Sequence, residues 1–532
     1  MSRFATNPVA PAPPRPDTRT AQGGQGFTKD AKDQLFTLGI ANFVGADTFY
    51  ESGAARDKRF VDLIHEVTRI DPVWVASFAA WLRSGANMRT ASVIVAAEYV
   101  KAGGPYGRQV VASVLKRPDE PAEMLGYWMS THGIDAAGRR KSLPRPIQRG
   151  IGDAVRRMYT ERNVLKYDGT NDDIRFADVI RMVGPETKDP RQRALFHYLD
   201  AKRRSSTTTV DVAGRVAESL AALPTIAEDR RLMALPEGER RANLGAAIEA
   251  GWSWERLGSW LPGGMDAEAW EAVIPNMGVM ALLRNLRNFD EKNVGGAAVD
   301  LVRSKLTDEE EVRRSRVFPL RFMQAWKAVS SVRWAEAMET GLNLSLGNIP
   351  YFEGRTLVLI DGSGSMNAPV ASKRTDSGKG GHVPTALTRW EAGGLFGCAV
   401  AQRSDAADVV LFHSHVFARL DMARHDSILR TVEGIRDVLQ PYGTDIHRSL
   451  AEAYHGHDRV LIFTDEQTGG RSWDSVAGIK VPVYTWNLAG YETGHAPSHF
   501  ANWQTYGGLS DAAFNMLGVN EARRSGGWPW EG

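Results

Sequence analysis

Asp361, Ser363 and Ser365 alternate with Gly362 and Gly364 in a short polar stretch. A carboxylate and two hydroxyls at alternate positions of a Gly-rich turn bring three hard oxygen donors to one point. A second carboxylate, Asp465, closes the run Phe463-Thr464-Asp465, and a third hydroxyl, Thr444, stands in Gly443-Thr444-Asp445. Oxygen-only donors with an octahedral preference suit Mg²⁺ or another divalent cation, which keeps several waters and is seldom caged wholly by protein. Taken alone, Asp-x-Ser-x-Ser is equally a polar turn. Its weight comes from where Thr444 and Asp465 fall.

The elements that must position these residues are legible in the apolar pattern. Residues 356–360, 408–412, 459–463 and 481–485 are short β-rich apolar runs, separated by helical stretches around 390–403, 424–439 and 446–455. Alternating strands and helices predict a doubly wound α/β domain over 348–532, a parallel sheet with helices on both faces. Such sheets bind ligands beyond the C-terminal ends of their strands, at the switch point. That topology sets Thr444 and Asp465 beside Asp361. The five residues Asp361, Ser363, Ser365, Thr444 and Asp465 match, residue by residue, the metal-ion-dependent adhesion site of von Willebrand factor A domains. The resemblance implies an open metal position that receives an acidic group from a partner.

Competing chemistries lack parts. A phosphate-binding P-loop requires a lysine before its Ser or Thr, and Gly364-Ser365-Met366 has none. A haloacid-dehalogenase-like phosphotransferase requires a second carboxylate where Ser363 stands, as proton donor to the leaving group. The pairs His413/His415 and His455/His457 have no Cys or acidic set beside them and read as strand-end or loop histidines. With no nucleophile and base in view, the chain is expected not to be an enzyme.

The 532 residues exceed one ordinary core, so more than one domain is expected. Hydrophobic residues at 43% and charged residues at 24% fit a soluble globular protein. No run approaches the roughly 18 apolar residues of a spanning helix, and the N-terminus lacks a basic-then-apolar export signal. The single cysteine, Cys398, excludes an internal disulfide and points to a reducing cytoplasm. Residues 1–26, rich in Pro, Gly, Ala and Thr, are expected to be a disordered tail. From there to residue 347 the pattern is helical, with stripes such as Phe60, Leu63, Ile64, Val67 and then Trp74, Phe78, Trp81, Leu82. No convincing strand precedes residue 355. Thr307 with Glu310 reads as a capping box, and Pro319 opens a further helix. Successive helix pairs without strict period suit an irregular, HEAT-like helical-repeat array.

The overall charge of +2 conceals clustering. Between 139 and 166 stand Arg139, Arg140, Lys141, Arg145, Arg149, Arg156, Arg157, Arg162 and Lys166 against only Asp153 and Glu161, with Tyr159 and Tyr167 interleaved. Such a segment could neutralise phosphates and stack on unpaired bases. It could equally be a solvated helix face. Arg284 and Arg287 form a second stripe, with Asn288, opposite Leu282, Leu286 and Phe289.

A helical first two-thirds joined to a metal-site A domain resembles the Ro autoantigen family, whose helical part is the TROVE domain. The specific pieces are Leu35-Phe-Thr-Leu-Gly39 with Thr48-Phe-Tyr50, Pro275-Asn-Met-Gly-Val-Met-Ala-Leu-Leu-Arg-Asn285, Arg316-Val-Phe-Pro319 and Gly507-Gly-Leu-Ser-Asp511-Ala-Ala-Phe514. The resemblance implies a multidomain fold, an all-α ring of helical repeats over 27–347 closed by the A domain. It also implies a non-catalytic, monomeric RNA-binding protein. Its expected partners are small structured Y-like non-coding RNA, the single-stranded 3′ ends of misfolded or immature RNA, and an exoribonuclease, in RNA quality control, maturation and stress response. Lys166 matches a basic position of the family's RNA surface, whereas a histidine expected after the next helix is Gly184. The Gly- and Lys-rich stretch 367–388 interrupts the usual short link after the metal motif. The alternative function is a metal-dependent interaction module that binds an acidic partner protein.

Overall fold

The structure, a computed structural model, describes residues 15–20, 23–41, 53–134, 138–139, 141–168, 174–204, 212–317, 319–329, 331–347, 351–368, 387–422, 427–439, 442–470, 473–489, 493–497, 502–507 and 528–531. Its contacts divide the chain into two compact units. One comprises Met1–Leu63, Phe318–Leu320 and Leu346–Gly532, and the other Ile64–Val317 and Arg321–Ser345. Among the described residues, no helix is long and apolar enough to cross a membrane.

The first unit is built on a six-stranded sheet. Its strands are β3 (Phe352–Asp361), β4 (Ser404–Phe412), β5 (Val416–Leu420), β6 (Arg459–Thr464), β7 (Val483–Asn487) and β9 (Trp503–Gly507), in the order β5-β4-β3-β6-β7-β9. Leu357, Val358, Leu359 and Ile360 are all buried, as expected of a central strand covered on both faces. From β3 the chain goes first to β4 on one side and then to β6 on the other, so the switch point lies at the C-terminal end of β3. The sheet is not wholly parallel: β5 runs antiparallel to β4 along one edge. Only residues 413–415 join these two strands, far too few for a parallel crossover.

Helix Arg389–Gln402 lies against β3 and β6. Gly393 and Gly397 permit this closeness. A Cβ on Gly397 would stand 3.0 Å from both Ile360 and Val358, and one on Gly393 would stand 3.2 Å from Phe463. The helix starts in a capping box: the Thr388 hydroxyl accepts from the Glu391 amide, and the Glu391 carboxylate accepts from the Thr388 amide.

Part of the expected N-terminal tail is structured. Strands β1 (Thr18–Arg19) and β2 (Gln25–Thr28) pair antiparallel, and β2 also pairs antiparallel with β8 (Thr493–Gly494). Gly24 and Gln25 donate backbone hydrogen bonds to Thr468 and Gly470. Phe27 packs on Trp473 in the main core. The Pro- and Gly-rich composition pointed to disorder because the partners that pay for ordering these residues lie over 440 positions away in sequence. Strands therefore do precede residue 355.

The second unit is helical, as its periodicity predicts. Helices pack as neighbours, Pro72–Ser84 on Arg89–Lys101, Gly107–Val114 on Arg145–Met158, and Pro190–Arg204 on Val212–Leu220. Ile64, Val67, Trp74, Phe78, Trp81 and Leu82 are all buried, as are Phe60 and Leu63 just before the unit begins. The capping box at Thr307 is not formed. Thr307 ends helix Gly296–Thr307 with its hydroxyl bonded back to the Arg303 and Ser304 carbonyls. The next helix, Glu309–Ser315, is capped by Asp308, whose carboxylate accepts from the Glu311 amide at 2.7 Å. Thr307 is the last residue of the preceding helix, so the cap falls to Asp308, whose carboxylate is a strong N-cap acceptor. Pro319 opens helix Pro319–Ala328 as expected.

Two measurements check these assignments by urea unfolding. Gly397→Val is expected to cost about 1–3 kcal/mol, the penalty of overpacking a tight helix–sheet contact. Asp308→Ala is expected to cost about 1 kcal/mol, while Thr307→Ala stays within about 0.5 kcal/mol of the parent.

Candidate functional site

Asp361 is the last residue of β3, and the register Ile360↔Phe463 carries Thr464 and Asp465 to the same edge on β6. Thr464 donates its hydroxyl proton to Asp361 Oδ2 at 2.6 Å, and the Ser363 amide donates to Asp361 Oδ1 at 2.8 Å. Ser363 and Ser365 face each other, Oγ to Oγ 3.3 Å. The Gly364 amide meets the Tyr442 carbonyl, and the Asp445 amide donates to the His413 carbonyl, so the loop bearing Thr444 is tied to both neighbouring strand ends. All five predicted oxygen-bearing residues are buried: Asp361 and Asp465 at 0%, Ser363 at 1%, Thr444 at 2% and Ser365 at 3% exposure.

The electrostatics of this arrangement favour a cation. Burial, and then the neighbouring Asp465 carboxylate, push the Asp361 carboxyl up to about 7. Burial raises Asp465 as well, opposed by Arg389 and by a hydrogen bond from Ser365. Among the described residues, Asp465 Oδ2 makes no hydrogen bond, and Arg389 Nη1 stands 3.6 Å from it. Two buried carboxylates, the first raised by the second and the second with an oxygen that lacks a hydrogen bond, set among hydroxyl-bearing residues, fit a hard divalent ion. Asp361, Ser363, Ser365, Thr444 and Asp465 are the residues that would hold it.

Sequence reasoning missed three residues here. Thr464 is spoken for by Asp361, and its place one residue before Asp465 was the available signal. Arg389, buried at the first turn of its helix, donates to the Ser365 carbonyl at 3.4 Å and supplies the single cation near Asp465. Glu466, next in sequence, is buried with a left-handed φ of 64°. It forms an ion pair with buried Lys29 and accepts from Asn487. Nothing local in the sequence marks Lys29 as its partner.

The histidine pairs are structural. His413 stacks on Phe417 at 4.7 Å, and His457 bonds Asp408 at 2.6 Å. Among the described residues, no group of three or more His, Cys, Asp or Glu is placed to hold a metal.

The basic candidates separate by partner. On helix Arg145–Met158 the residues Arg145, Arg149 and Arg156 share one face, and the opposite face buries Ile147, Ile151, Ala154, Val155 and Met158. Lys141, Arg145 and Arg149 are exposed with no ion pair or side-chain hydrogen bond among the described residues, whereas Arg156 shares Asp153 with Arg108. Arg157 donates to the Ala112 and Leu115 carbonyls. Arg139 is exposed, and Arg140 lies outside the described residues. Lys166 lies 5.2 Å over the Tyr167 ring, with Arg117 at 5.3 Å. Arg287 is paired with Glu291 at 3.2 Å. Arg284 neighbours Arg321, whose guanidinium is held below its ordinary range by burial and then by Arg284. Arg321 was not among the sequence candidates.

The interleaved tyrosines are not free stacking platforms. Tyr159 is 1% exposed and stacks on Phe176 at 4.1 Å, so it is core. Gly184, where the resemblance implies a histidine, caps helix Phe176–Val183 at φ 60°, a left-handed position that disfavours a branched or bulky side chain.

The acidic centre yields a measurable pH dependence. A carboxyl raised from 3.8 to about 7 on folding contributes stability below pH 3.8 that is lost as pH rises through about 7. A cation that binds the ionised form reverses that loss. Mg²⁺ is therefore expected to raise the thermal midpoint at pH 8 and far less at pH 6, by an equivalent of about 2.7 kcal/mol at a hundredfold excess over Kd. Asp361→Asn abolishes the response.

Comparison with known proteins fits this architecture. A family model described as the TROVE domain matches residues 211–354. The RNA-binding protein RO60 of Deinococcus radiodurans is 24% identical over 224 residues, 38% of this chain and 40% of the relative. The RNA-binding protein RO60 of Caenorhabditis elegans is 32% identical over 124 residues, 19% and 18% of the two chains. The matched stretches thus span less than half the length of these relatives. The crystal structure of the Deinococcus radiodurans RO (RSR) protein superposes with a TM-score of 0.60 at 18% identity, covering 92% of this chain and all of that one. The chain thus carries a TROVE match inside a fold similar to that of the Ro protein over nearly its whole length.

Proposed function

We propose that the protein binds RNA through its helical unit and performs no catalysis itself. The observation that carries this reading is the face of helix Arg145–Met158, where Arg145 and Arg149 stand exposed and, among the described residues, without acidic partners, while the opposite face is buried. Cations left uncompensated on a rigid helix attract phosphates and release their counterions on binding. Both curated relatives are described as RNA-binding proteins, which supports the same reading. Its finer form is carried from the resemblance. Small Y-like RNA and single-stranded 3′ ends are the ligands, an exoribonuclease is the partner, and quality control, maturation and stress response in the cytoplasm are the setting. A monomeric ring of helical repeats belongs to that same proposal.

A second reading concerns the other unit. The Asp465 oxygen without a hydrogen bond, beside a raised Asp361 carboxyl, supports a divalent ion that captures an acidic group from a partner protein. The two readings use different units. A pull-down with and without nuclease and chelator separates them, since a chelator-sensitive, nuclease-resistant partner belongs only to the second.

RNA with an unpaired 3′ tail is expected to bind with an affinity that falls steeply with salt. Replacing Arg145 and Arg149 by Glu should lower affinity at least about tenfold and reduce the salt slope by roughly 1.4, two contacts at about 0.7 each for a single strand. Reversal of Glu309 and Glu310 should leave both unchanged. Binding indifferent to salt, or equal losses in the two variants, removes the RNA reading.

A further inference from the structure

The helical unit contains a cavity that neither reading assigns. It measures about 460 Å³ and is lined by Ala80, Ser84, Ala112, Ser113, Lys116 and Arg157. Its walls come from the ends of three helices, Pro72–Ser84, Gly107–Val114 and Arg145–Met158. The latter two pack tightly because Gly150 has no side chain: a Cβ there would stand 2.6 Å from Val111. Two turns further on, this packing delivers Arg157 to the C-terminus of helix Gly107–Val114, where its guanidinium meets the Ala112 and Leu115 carbonyls. A cation at a helix C-terminus is favourable. The guanidinium is thereby anchored, not neutralised.

Lys116 faces the same space, and its ammonium has no hydrogen bond or ion pair among the described residues. Although Lys116 is exposed, partial desolvation and then the guanidiniums of Arg83, Arg316 and Arg157 hold it below the ordinary lysine range, with Glu120 the opposing charge. Glu120 is already committed: it takes an ion pair from Arg83 at 2.7 Å and hydrogen bonds from the Lys116 and Arg117 amides. Two cationic side chains, Lys116 and Arg157, thus line the pocket, and no carboxylate is among its lining residues. Its two hydroxyls have spent their protons on helix carbonyls, Ser84 on Ala80 and Ser113 on Val110. They offer lone pairs to a donor on the ligand.

We propose that this cavity is a seat for one phosphate group, bound by Lys116 and Arg157, with Ser84 and Ser113 accepting from a neighbouring hydroxyl of the same ligand. The phosphate can belong to an RNA strand or be free. Only for the strand as its source does the seat rest on the RNA-binding reading. It is distinct from the exposed face of Arg145 and Arg149, since Arg157 projects from another side of that helix.

The full chain is titrated with inorganic phosphate by calorimetry, and separately with a single-stranded RNA by fluorescence anisotropy. The parent is compared with Lys116→Gln and with Lys292→Gln, an exposed lysine elsewhere in the same unit that removes equal charge. Loss of one charge-assisted contact is expected to weaken binding about tenfold in Lys116→Gln. A loss with phosphate marks a seat for free or terminal phosphate, and a loss with RNA alone marks a seat for the strand. Either supports the proposal. Equal behaviour of the two variants with both ligands overturns it while leaving RNA binding intact. Phosphate binding lost in Lys116→Gln from a chain that binds no RNA keeps the seat and removes the RNA reading. As a check independent of any variant, saturating phosphate should slow acylation of Lys116 in the parent, read by mass spectrometry, and an unchanged rate counts against the seat.

Discussion

Two carboxylates buried side by side cannot both carry charge at little cost. Asp361 and Asp465 are brought to this position by the register of β3 and β6, with no solvent to spread their field. Arg389 reaches one of them from the first turn of a helix whose glycines let it lie close to the sheet. The rest of the edge is arranged around the same problem: Thr464 donates to Asp361, Ser365 to Asp465, and a run of backbone bonds fixes the loop with Thr444. An arrangement that leaves a carboxylate oxygen without a hydrogen bond is costly for folding alone. The divalent ion proposed for this edge would offset that cost.

The N-terminal segment belongs to the same electrostatic economy. Lys29 enters the sheet unit to pair with Glu466, the residue beside Asp465, and Asn487 and Thr505 complete that carboxylate's bonds. A buried ion pair of this kind is tolerable because further hydrogen bonds accompany it. The left-handed backbone at Glu466 is retained within this network, which specifies where the strand end turns.

In the helical unit the contrast between satisfied and unsatisfied charge carries the functional argument. Glu98, fully buried, accepts from Tyr127 at 2.6 Å and bonds His65 and His132 at 2.7 and 2.6 Å. Arg83 and Glu120 are paired inside, and Asp153 serves both Arg108 and Arg156. Against that background of closed networks, Arg145, Arg149 and Lys116 stand out because their side chains make no ion pair among the described residues.

The sequence alone determined the β-rich runs, the switch to a helical period before residue 347, and the five oxygen-bearing residues at strand ends, because each is a local pattern of side-chain type and spacing. It also showed the basic excess between 139 and 166. Tertiary structure decided what local patterns cannot encode. Tyr159 became core because Phe176 packs on it, and β1 and β2 ordered because partners from residues 468–494 cover them. Strand β5 turned antiparallel because its connection is short. Arg156 pairs with Asp153, whereas Lys116 makes no ion pair among the described residues. Whether a charge is free depends on what stands within a few ångströms of it, and those neighbours lie up to hundreds of residues away along the chain.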